Sequence, residues 1–77
     1  MQLKSLRMFE AVCESGSFGA AAQRLHTVQS NVTAHIKKLE DEAGMQLLMR
    51  ASPVFPTPAG RTLLESARQM LQSHDQV

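Results

Sequence analysis

Between residues 29 and 38 the chain carries short side chains that donate and accept hydrogen bonds, followed by two adjacent lysines. A helical period of about 3.6 residues would turn several of them outward together. The outward set is Ser30, Thr33, Ala34 and Lys37, with Asn31 and Lys38 on one flank. Side chains this short can reach base edges in a DNA groove, and lysines at the margin can bind phosphates. This face therefore predicts a nucleic-acid contact.

Two residues of this face have specific predicted roles. Gln29 stands at the start of the helix, where its carboxamide offers a donor and an acceptor to adenine, and Ala34 can touch a thymine methyl group. His35 points toward one flank, where a phosphate contact and a packing role are equally consistent with its position. The alternative is an ordinary solvated face, although such a face more often carries Glu and long charged side chains.

The other reactive residues form no recognisable catalytic or metal site. Cys13 and three histidines, at positions 26, 35 and 74, have no spacing typical of a zinc site or of a nucleophile–base pair. The chain has no Trp or Tyr and only 3 Phe, which argues against a base-stacking surface built on aromatic rings. We therefore expect no enzyme activity, no metal and no cofactor in these residues.

Length and composition predict one small cytoplasmic domain. Seventy-seven residues with 43% hydrophobic content suit a single compact fold close to the lower size limit. No apolar run is long enough to span a bilayer, the start is no signal peptide, and the lone cysteine fits a reducing compartment. The net charge is only +1, but residues 15–39 and 43–64 contain no acid. We expect the positive charge to gather on one side of the fold, as binding to a polyanion requires.

Three helices are predicted before residue 44. The first spans about residues 3–14, the second about 18–25 after the N-cap Ser17, and the third about 29–43 with Gly44 as its stop. Two short helices separated by a three-residue break, with a polar outer face on the second, form a helix-turn-helix at about residues 18–37. Helix pairs in plain bundles share this pattern.

A wing is predicted at about residues 50–56, because Pro53 and Pro56 cannot continue a helix. We expect a brief strand, a projecting loop and a returning strand. Pro53 and Val54 are predicted to lie along the minor groove or the backbone, with Arg50 at the base of the wing bound to phosphate. Thr57 is then the N-cap of a fourth helix.

The fourth helix, residues 58–77, carries a broad apolar stripe. The stripe consists of Leu63, Leu64, Ala67, Met70 and Leu71. It is wider than one small domain needs, so we predict that it pairs two subunits as a linker and dimerisation helix. Burial within the chain's own core is the alternative.

These residues resemble the N-terminal DNA-binding domain of bacterial LysR-type transcriptional regulators. The resemblance covers nearly the whole chain. Its residues are Leu6, Phe9, Ser17-Phe18, Ala21-Ala22, Leu25, Gln29, Val32, Thr33, Ile36, Leu39-Glu40, Gly44, Leu47, Arg50, Thr57 and Ala59-Gly60. Ser30 and Ala34 depart from it, since the family often has Pro and Arg there.

The resemblance implies a mostly α fold: a winged helix-turn-helix with a three-helix core and a short two-stranded wing in residues 1–57, then the linker helix 58–77. It also implies a homodimer, with higher assembly possible at full length, on an inverted-repeat double-stranded DNA operator. A small-molecule effector is expected only in a C-terminal domain that this chain lacks.

The predicted DNA-binding residues, taken together, are Ser17, Thr27, Gln29, Ser30, Asn31, Thr33, Ala34, His35, Lys37, Lys38, Arg50, Pro53, Val54 and Thr57. The alternative function is a winged helix used for protein–protein contact, since the fold serves both purposes.

Overall fold

The computed structural model describes residues 1–75, which form four helices and a two-stranded antiparallel sheet. The elements are α1 (Leu3–Ser15), α2 (Phe18–Arg24), α3 (Gln29–Ala43), β1 (Leu48–Met49), β2 (Phe55–Pro56) and α4 (Pro58–Asp75). The predicted winged helix-turn-helix with a following helix is confirmed. Residues 76 and 77 of the predicted fourth helix lie outside the described residues. Within residues 1–75, no helix has the length and apolar character of a membrane span.

The helix ends follow local capping chemistry. Gly16 and Gly44 close α1 and α3 in the left-handed conformation, with φ of 80° and 69°. At the start of α2, the Ser17 hydroxyl accepts a hydrogen bond from the Ala20 N–H over 3.0 Å. His26 adopts a φ of 57° in the turn between α2 and α3. The turn thus depends on a left-handed residue other than glycine, a conformation that histidine tolerates better than branched side chains.

Helix α1 is the centre of the packing, because it contacts α2, α3, α4 and β2. The core draws on every element except β2. Its members are Leu6, Met8, Phe9, Ala11, Val12, Ala21, Ala22, Val32, Ile36, Leu39, Leu47, Leu48, Leu64, Ala67 and Leu71. Small alanines on α1 and α2 allow close helix approach. Burial raises the pKa of the Cys13 thiol to about 11, as suits a packed and inert cysteine.

The predicted two-stranded wing is confirmed, and its loop contacts the helical core. Leu48 pairs with Pro56 and Met49 with Phe55, and the loop between the strands folds back onto the α1–α2 turn. There the Val54 N–H donates to the Gly16 carbonyl over 2.8 Å, and a Cβ at Gly16 would lie 2.9 Å from the Cβ of Pro53. The wing loop is therefore held against the helical core.

Helix α4 begins in direct contact with the chain that leads into β1. The Thr57 N–H donates to the Leu47 carbonyl over 3.0 Å. A methyl group at Gly60 would lie 2.0 Å from the same carbonyl oxygen and 3.2 Å from the Cβ of Pro56. Only a residue without a side chain fits there, so Gly60 sets how closely α4 approaches the wing.

Replacement of Gly60 should therefore be costly. Gly60→Ala is expected to lower the free energy of unfolding by about 3 kcal/mol, the upper end of overpacking costs, because the obstacle is backbone. Urea titration followed by circular dichroism measures the change. The control is Gln72→Ala on the exposed, charged side of α4, which should change stability by less than about 0.5 kcal/mol. A Gly60→Ala chain as stable as the original would contradict the close approach.

Candidate nucleic-acid interface

The outer face of α3 is polar, short and free of acids over its first three turns. Val32, Ile36 and Leu39 are fully buried and fix the rotation of the helix. The six exposed residues of that outer face are Gln29, Ser30, Thr33, Ala34, Lys37 and Lys38. The structure thus places on one exposed face the residues that the helical period predicts to point outward.

Part of this face is ordered by local hydrogen bonds. The Thr33 hydroxyl donates to the Gln29 carbonyl over 3.1 Å, and Asn31 Nδ2 donates to the Thr27 hydroxyl over 3.0 Å. Lys37 forms an exposed ion pair with Asp41, one helical turn further on, at 3.3 Å. Lys38 has no ion-pair partner among residues 1–75. The hydroxyls keep lone pairs for a ligand, and the ammonium group of Lys38 is exposed.

His35 connects α3 to α1. Its Nδ1 lies 2.7 Å from the hydroxyl oxygen of Ser5, a residue that is only 1% exposed. The imidazole is half-buried. Of the two interpretations of His35, this contact favours the packing role, because one ring nitrogen is already engaged inside the domain.

The first turn of α2 brings the wing and the start of α3 into one surface. Pro53 and Val54 rest on Gly16, which directly precedes the exposed Ser17. Two residues further along, a Cβ at Gly19 would lie 3.4 Å from Oε1 of Gln29. This series of contacts runs from the wing loop through α2 to the first residue of α3.

Arg50 is fixed at the base of the wing by two partners. Its Nη2 donates to Oε1 of Glu40 over 2.8 Å, and its guanidinium carbon lies 5.0 Å from the centre of the Phe18 ring. The other Glu40 oxygen accepts the Leu47 and Leu48 N–H groups at 2.8 and 3.3 Å. Arg50 remains 46% exposed, so further N–H donors of its guanidinium stay open to solvent.

A cleft between α1 and the α2–α3 turn adds two side chains that the sequence did not predict. Lys4 and His26, both exposed, lie on the rim of this cleft beside Thr27 and Asn31. The signal available in the sequence was a lysine in the first turn of α1. The cleft therefore extends the polar surface from α3 onto α1.

Thr57 does not belong to this surface. It is only 9% exposed, and its hydroxyl donates to the Gln46 carbonyl at 2.8 Å and accepts the Gly60 N–H at 3.0 Å. The prediction of a DNA contact for the Thr57 side chain is wrong, because the capping role that was also predicted occupies the hydroxyl.

Most of the predicted dimerisation stripe lies in the chain's own core and not on the surface of α4. Leu64, Ala67 and Leu71 are at most 9% exposed, because they pack within the chain's own core. Leu63 is half-buried and Met70 is 44% exposed. The alternative of burial within the domain is therefore correct for three of the five residues.

Ion pairs hold α4 and α2 to α1. Arg68 lies 3.4 Å from Glu10 and 3.2 Å from Glu14, and Arg24 lies 2.6 Å from Glu14. The hydrogen bond from Arg24 is the main reason that the pKa of Glu14 falls below its ordinary value, and Arg68 adds to it. Arg24 lies in the acid-free stretch of sequence, yet the fold pairs its charge.

The class of protein follows from the fold and from its similarity to known proteins. The fold and the polar α3 surface are those of a winged helix-turn-helix, and residues 3–61 match the bacterial regulatory helix-turn-helix protein, lysR family. The chain belongs to the LysR family.

Similar proteins agree with this assignment. The chain is 48% identical over 73 residues to the HTH-type transcriptional regulator TfdS of Cupriavidus pinatubonensis, a match that covers 94% of this chain and 25% of TfdS. The chain thus spans about a quarter of the length of such relatives. Its fold is similar to the solved structure of a BenM_DBD/benA site 1 DNA complex (TM-score 0.93, 43% identity, 99% of this chain and 86% of that chain). It is also similar to that of a CbnR_DBD-DNA complex (TM-score 0.92, 38% identity, 97% and 87%).

The lowered pKa of Glu14 predicts a pH dependence of stability. A carboxylate whose pKa is lowered by folding stabilises the native state above its ordinary pKa, about 4.3 for Glu, and this contribution is lost as pH falls through the lowered value. Arg24→Gln should therefore lower Tm at pH 7, with a cost below about 1 kcal/mol because the pair is exposed. The gap in Tm between variant and original should shrink as the pH falls through that range.

Thermal melts between neutral and acidic pH measure this gap. Arg61→Gln is the control, since Arg61 is exposed and has no ion-pair partner among the described residues. Its Tm difference should stay constant across the same range. A gap for Arg24→Gln that does not change on acidification would remove Glu14 from the explanation.

Proposed function

We propose that this chain is the DNA-binding part of a LysR-type transcriptional regulator and that α3 enters the major groove of double-stranded DNA. The observation that carries the proposal is the exposed, acid-free and short-chained outer face of α3 in a winged helix-turn-helix. The resemblance to two domains solved as DNA complexes supports it.

We assign the residues on the outer face of α3 to base contacts or phosphate contacts according to side-chain type. Gln29, Ser30, Thr33 and Ala34 contact base edges, because they are uncharged and exposed at the start of the helix. Lys37 and Lys38, one turn further on, bind phosphates. Ser17, Thr27, Asn31, Lys4 and His26 border the same surface and are assigned to the DNA backbone.

The wing supplies a second contact region. Pro53 and Val54 lie against the minor groove or the backbone, and Arg50 uses its free donors on phosphate. Because Glu40 neutralises part of its charge, Arg50 contributes less long-range attraction than Lys38. The wing of about residues 50–56 therefore mainly positions the domain on the duplex.

The alternative function, a protein–protein module, requires apolar or acidic anchors on α3. Gln29 to Lys38 present none on the exposed face. Retention on a plain DNA column that weakens steeply with salt separates the two functions, because counterion release accompanies phosphate binding. Apart from Asp41 in its ion pair with Lys37, the outer face offers a protein partner only lysines and uncharged groups.

Two substitutions test the roles on α3. Gln29→Ala should cost about 1–3 kcal/mol on the preferred duplex and relax the base preference at one position. Lys38→Ala should keep the preference, weaken binding to every sequence and flatten the salt slope by about one unit. The measurement is titration of single-base duplex variants at several salt concentrations.

Gln72→Ala, an exposed glutamine on α4, is the matched control and should bind like the original chain. If Gln29→Ala weakens all duplexes equally while Lys38→Ala changes the preferred base, the helix is rotated in its groove and the assigned roles are wrong.

We further propose that two copies pair through a flank of α4, which differs from the stripe predicted from sequence. A second row follows the 4-3-4-3 spacing of helix pairing and consists of Ala59, Leu63, Ser66, Met70 and Ser73. Met70 in this row is 44% exposed, and the small residues allow another helix to approach closely. A two-fold pairing would present two α3 helices to an inverted-repeat operator.

The dimer has a direct test. Leu63→Glu combined with Met70→Glu should give a folded monomer, because both side chains lie outside the fully buried core. Ala67→Glu should instead unfold the chain, since Ala67 is 0% exposed. Sedimentation velocity at high micromolar concentration measures the oligomeric state, and circular dichroism measures whether each variant is folded.

Gln72→Glu is the control for that pair of substitutions. It adds a carboxylate to the charged side of α4, where Arg61, Glu65 and Arg68 lie, and should leave the dimer intact. An original chain that sediments as a monomer at this concentration would refute the pairing.

The chain spans only part of its relatives, so the function of the whole protein is a proposal too. We assign it transcription regulation without enzymatic activity, in the cytoplasm, where bacterial DNA is found. The relatives are named as transcriptional regulators. A small-molecule effector would act through a further C-terminal domain; the solved structure of full-length LysG is described with bound effector Arg.

A further inference from the structure

Gly19 has no evident structural reason to be glycine. It lies in α2 without the positive φ of Gly16 and Gly44, so its backbone conformation suits any residue. It is partly exposed, so it is no core contact of the kind that Gly60 makes. Glycine weakens a helix relative to alanine, because it has more conformational freedom to lose.

The neighbour of Gly19 is a side chain of α3. A Cβ added at Gly19 would have one heavy atom within 4 Å outside its own helix and its chain neighbours, Oε1 of Gln29 at 3.4 Å. The Gln29 carboxamide therefore lies over the bare backbone of α2. Gln29 is exposed at the first position of α3, and its long side chain has many rotamers in solution.

We propose that Gly19 determines base specificity by leaving room for the carboxamide of Gln29 against α2. Hydrogen bonding to the edge of a base requires a defined orientation of the amide oxygen and nitrogen. A surface that limits the rotamers of Gln29 supplies it before binding. The inference rests on the proposed function of α3, and Gly19 acts as a positioning residue that need not touch DNA.

The size of the side chain at position 19 then decides the outcome. Alanine places its Cβ 3.4 Å from Oε1, at the edge of ordinary contact, so Gly19→Ala should keep the base preference. Leucine would occupy the space of the carboxamide and displace it. Gly19→Leu should lose about tenfold of discrimination at the base pair that Gln29 reads.

The experiment begins with the unaltered chain selecting its preferred duplex from a randomised pool. All single-base variants of that duplex are then titrated with Gly19→Ala, Gly19→Leu, Gln29→Ala and the Gly19→Leu/Gln29→Ala double variant. Gly19→Leu and Gln29→Ala should lose preference at the same position, and the double variant should lose no more than either. Gln23→Leu, at an exposed position on the same helix, is the control and should keep the original preference.

A second measurement needs no DNA. In the free Gly19→Ala chain, the NMR signals of the Gln29 side-chain amide should shift more than those of Gln23 and Gln72. Unshifted Gln29 signals overturn the contact, even if Gly19→Leu fails to fold. Preserved discrimination in a folded Gly19→Leu chain, or a further loss in the double variant, overturns the positioning role. An original chain that selects no duplex refutes the proposed function instead, while the NMR result still decides the contact.

Discussion

The carboxylate of Glu40 is the interaction on which the wing depends. One oxygen accepts the N–H groups of Leu47 and Leu48, and the other accepts Arg50. The strands β1 and β2 have two residues each, too few to be stable as an isolated hairpin. Hydrogen bonds to a charged group contribute about 1.5–3 kcal/mol each. The side chain of Glu40 is only 17% exposed, so its loss would leave buried donors without a partner.

Because Glu40 belongs to α3, its hydrogen bonds fix the position of the wing relative to that helix. The pairing of the two short strands contributes less. Arg50 extends this connection to α2 by lying over the Phe18 ring, and the backbone of Val54 closes it at Gly16. The wing is thus fixed at both its base and its loop to the helices that flank α3. This arrangement explains how so small a sheet can hold one orientation relative to the helix that we assign to DNA.

The elements were largely predictable because their ends depend on local chemistry. Ser17, Gly16, Gly44 and Thr57 fix helix ends through their own hydrogen bonds or φ angles, which are properties of single residues. The outward face of α3 was predictable for a similar reason, since buried Val32, Ile36 and Leu39 set its rotation.

Errors arose where tertiary contacts decide. Helix α4 has two adjacent rows that contain apolar residues, and the sequence alone does not say which row α1 covers. The Thr57 hydroxyl is bonded to Gln46 and Gly60, and which role His35 takes depends on Ser5, a partner 30 residues away. The roles of Glu40 and Gly19 depend on the same kind of contact, so helical periodicity could not find them.

The placement of charges limits how strongly the domain can be attracted to DNA phosphates. The net charge is +1, and several cations are paired with acids away from the outer face of α3: Arg24 with Glu14, Arg68 with Glu10 and Glu14, and Arg7 with Asp75. A modest local excess of charge limits the sequence-independent attraction to phosphates. In the proposed complex, discrimination then rests mainly on short side chains, because their ordering costs little entropy. Gln29 is the exception in length, and the proposed contact with Gly19 restricts its rotamers before binding.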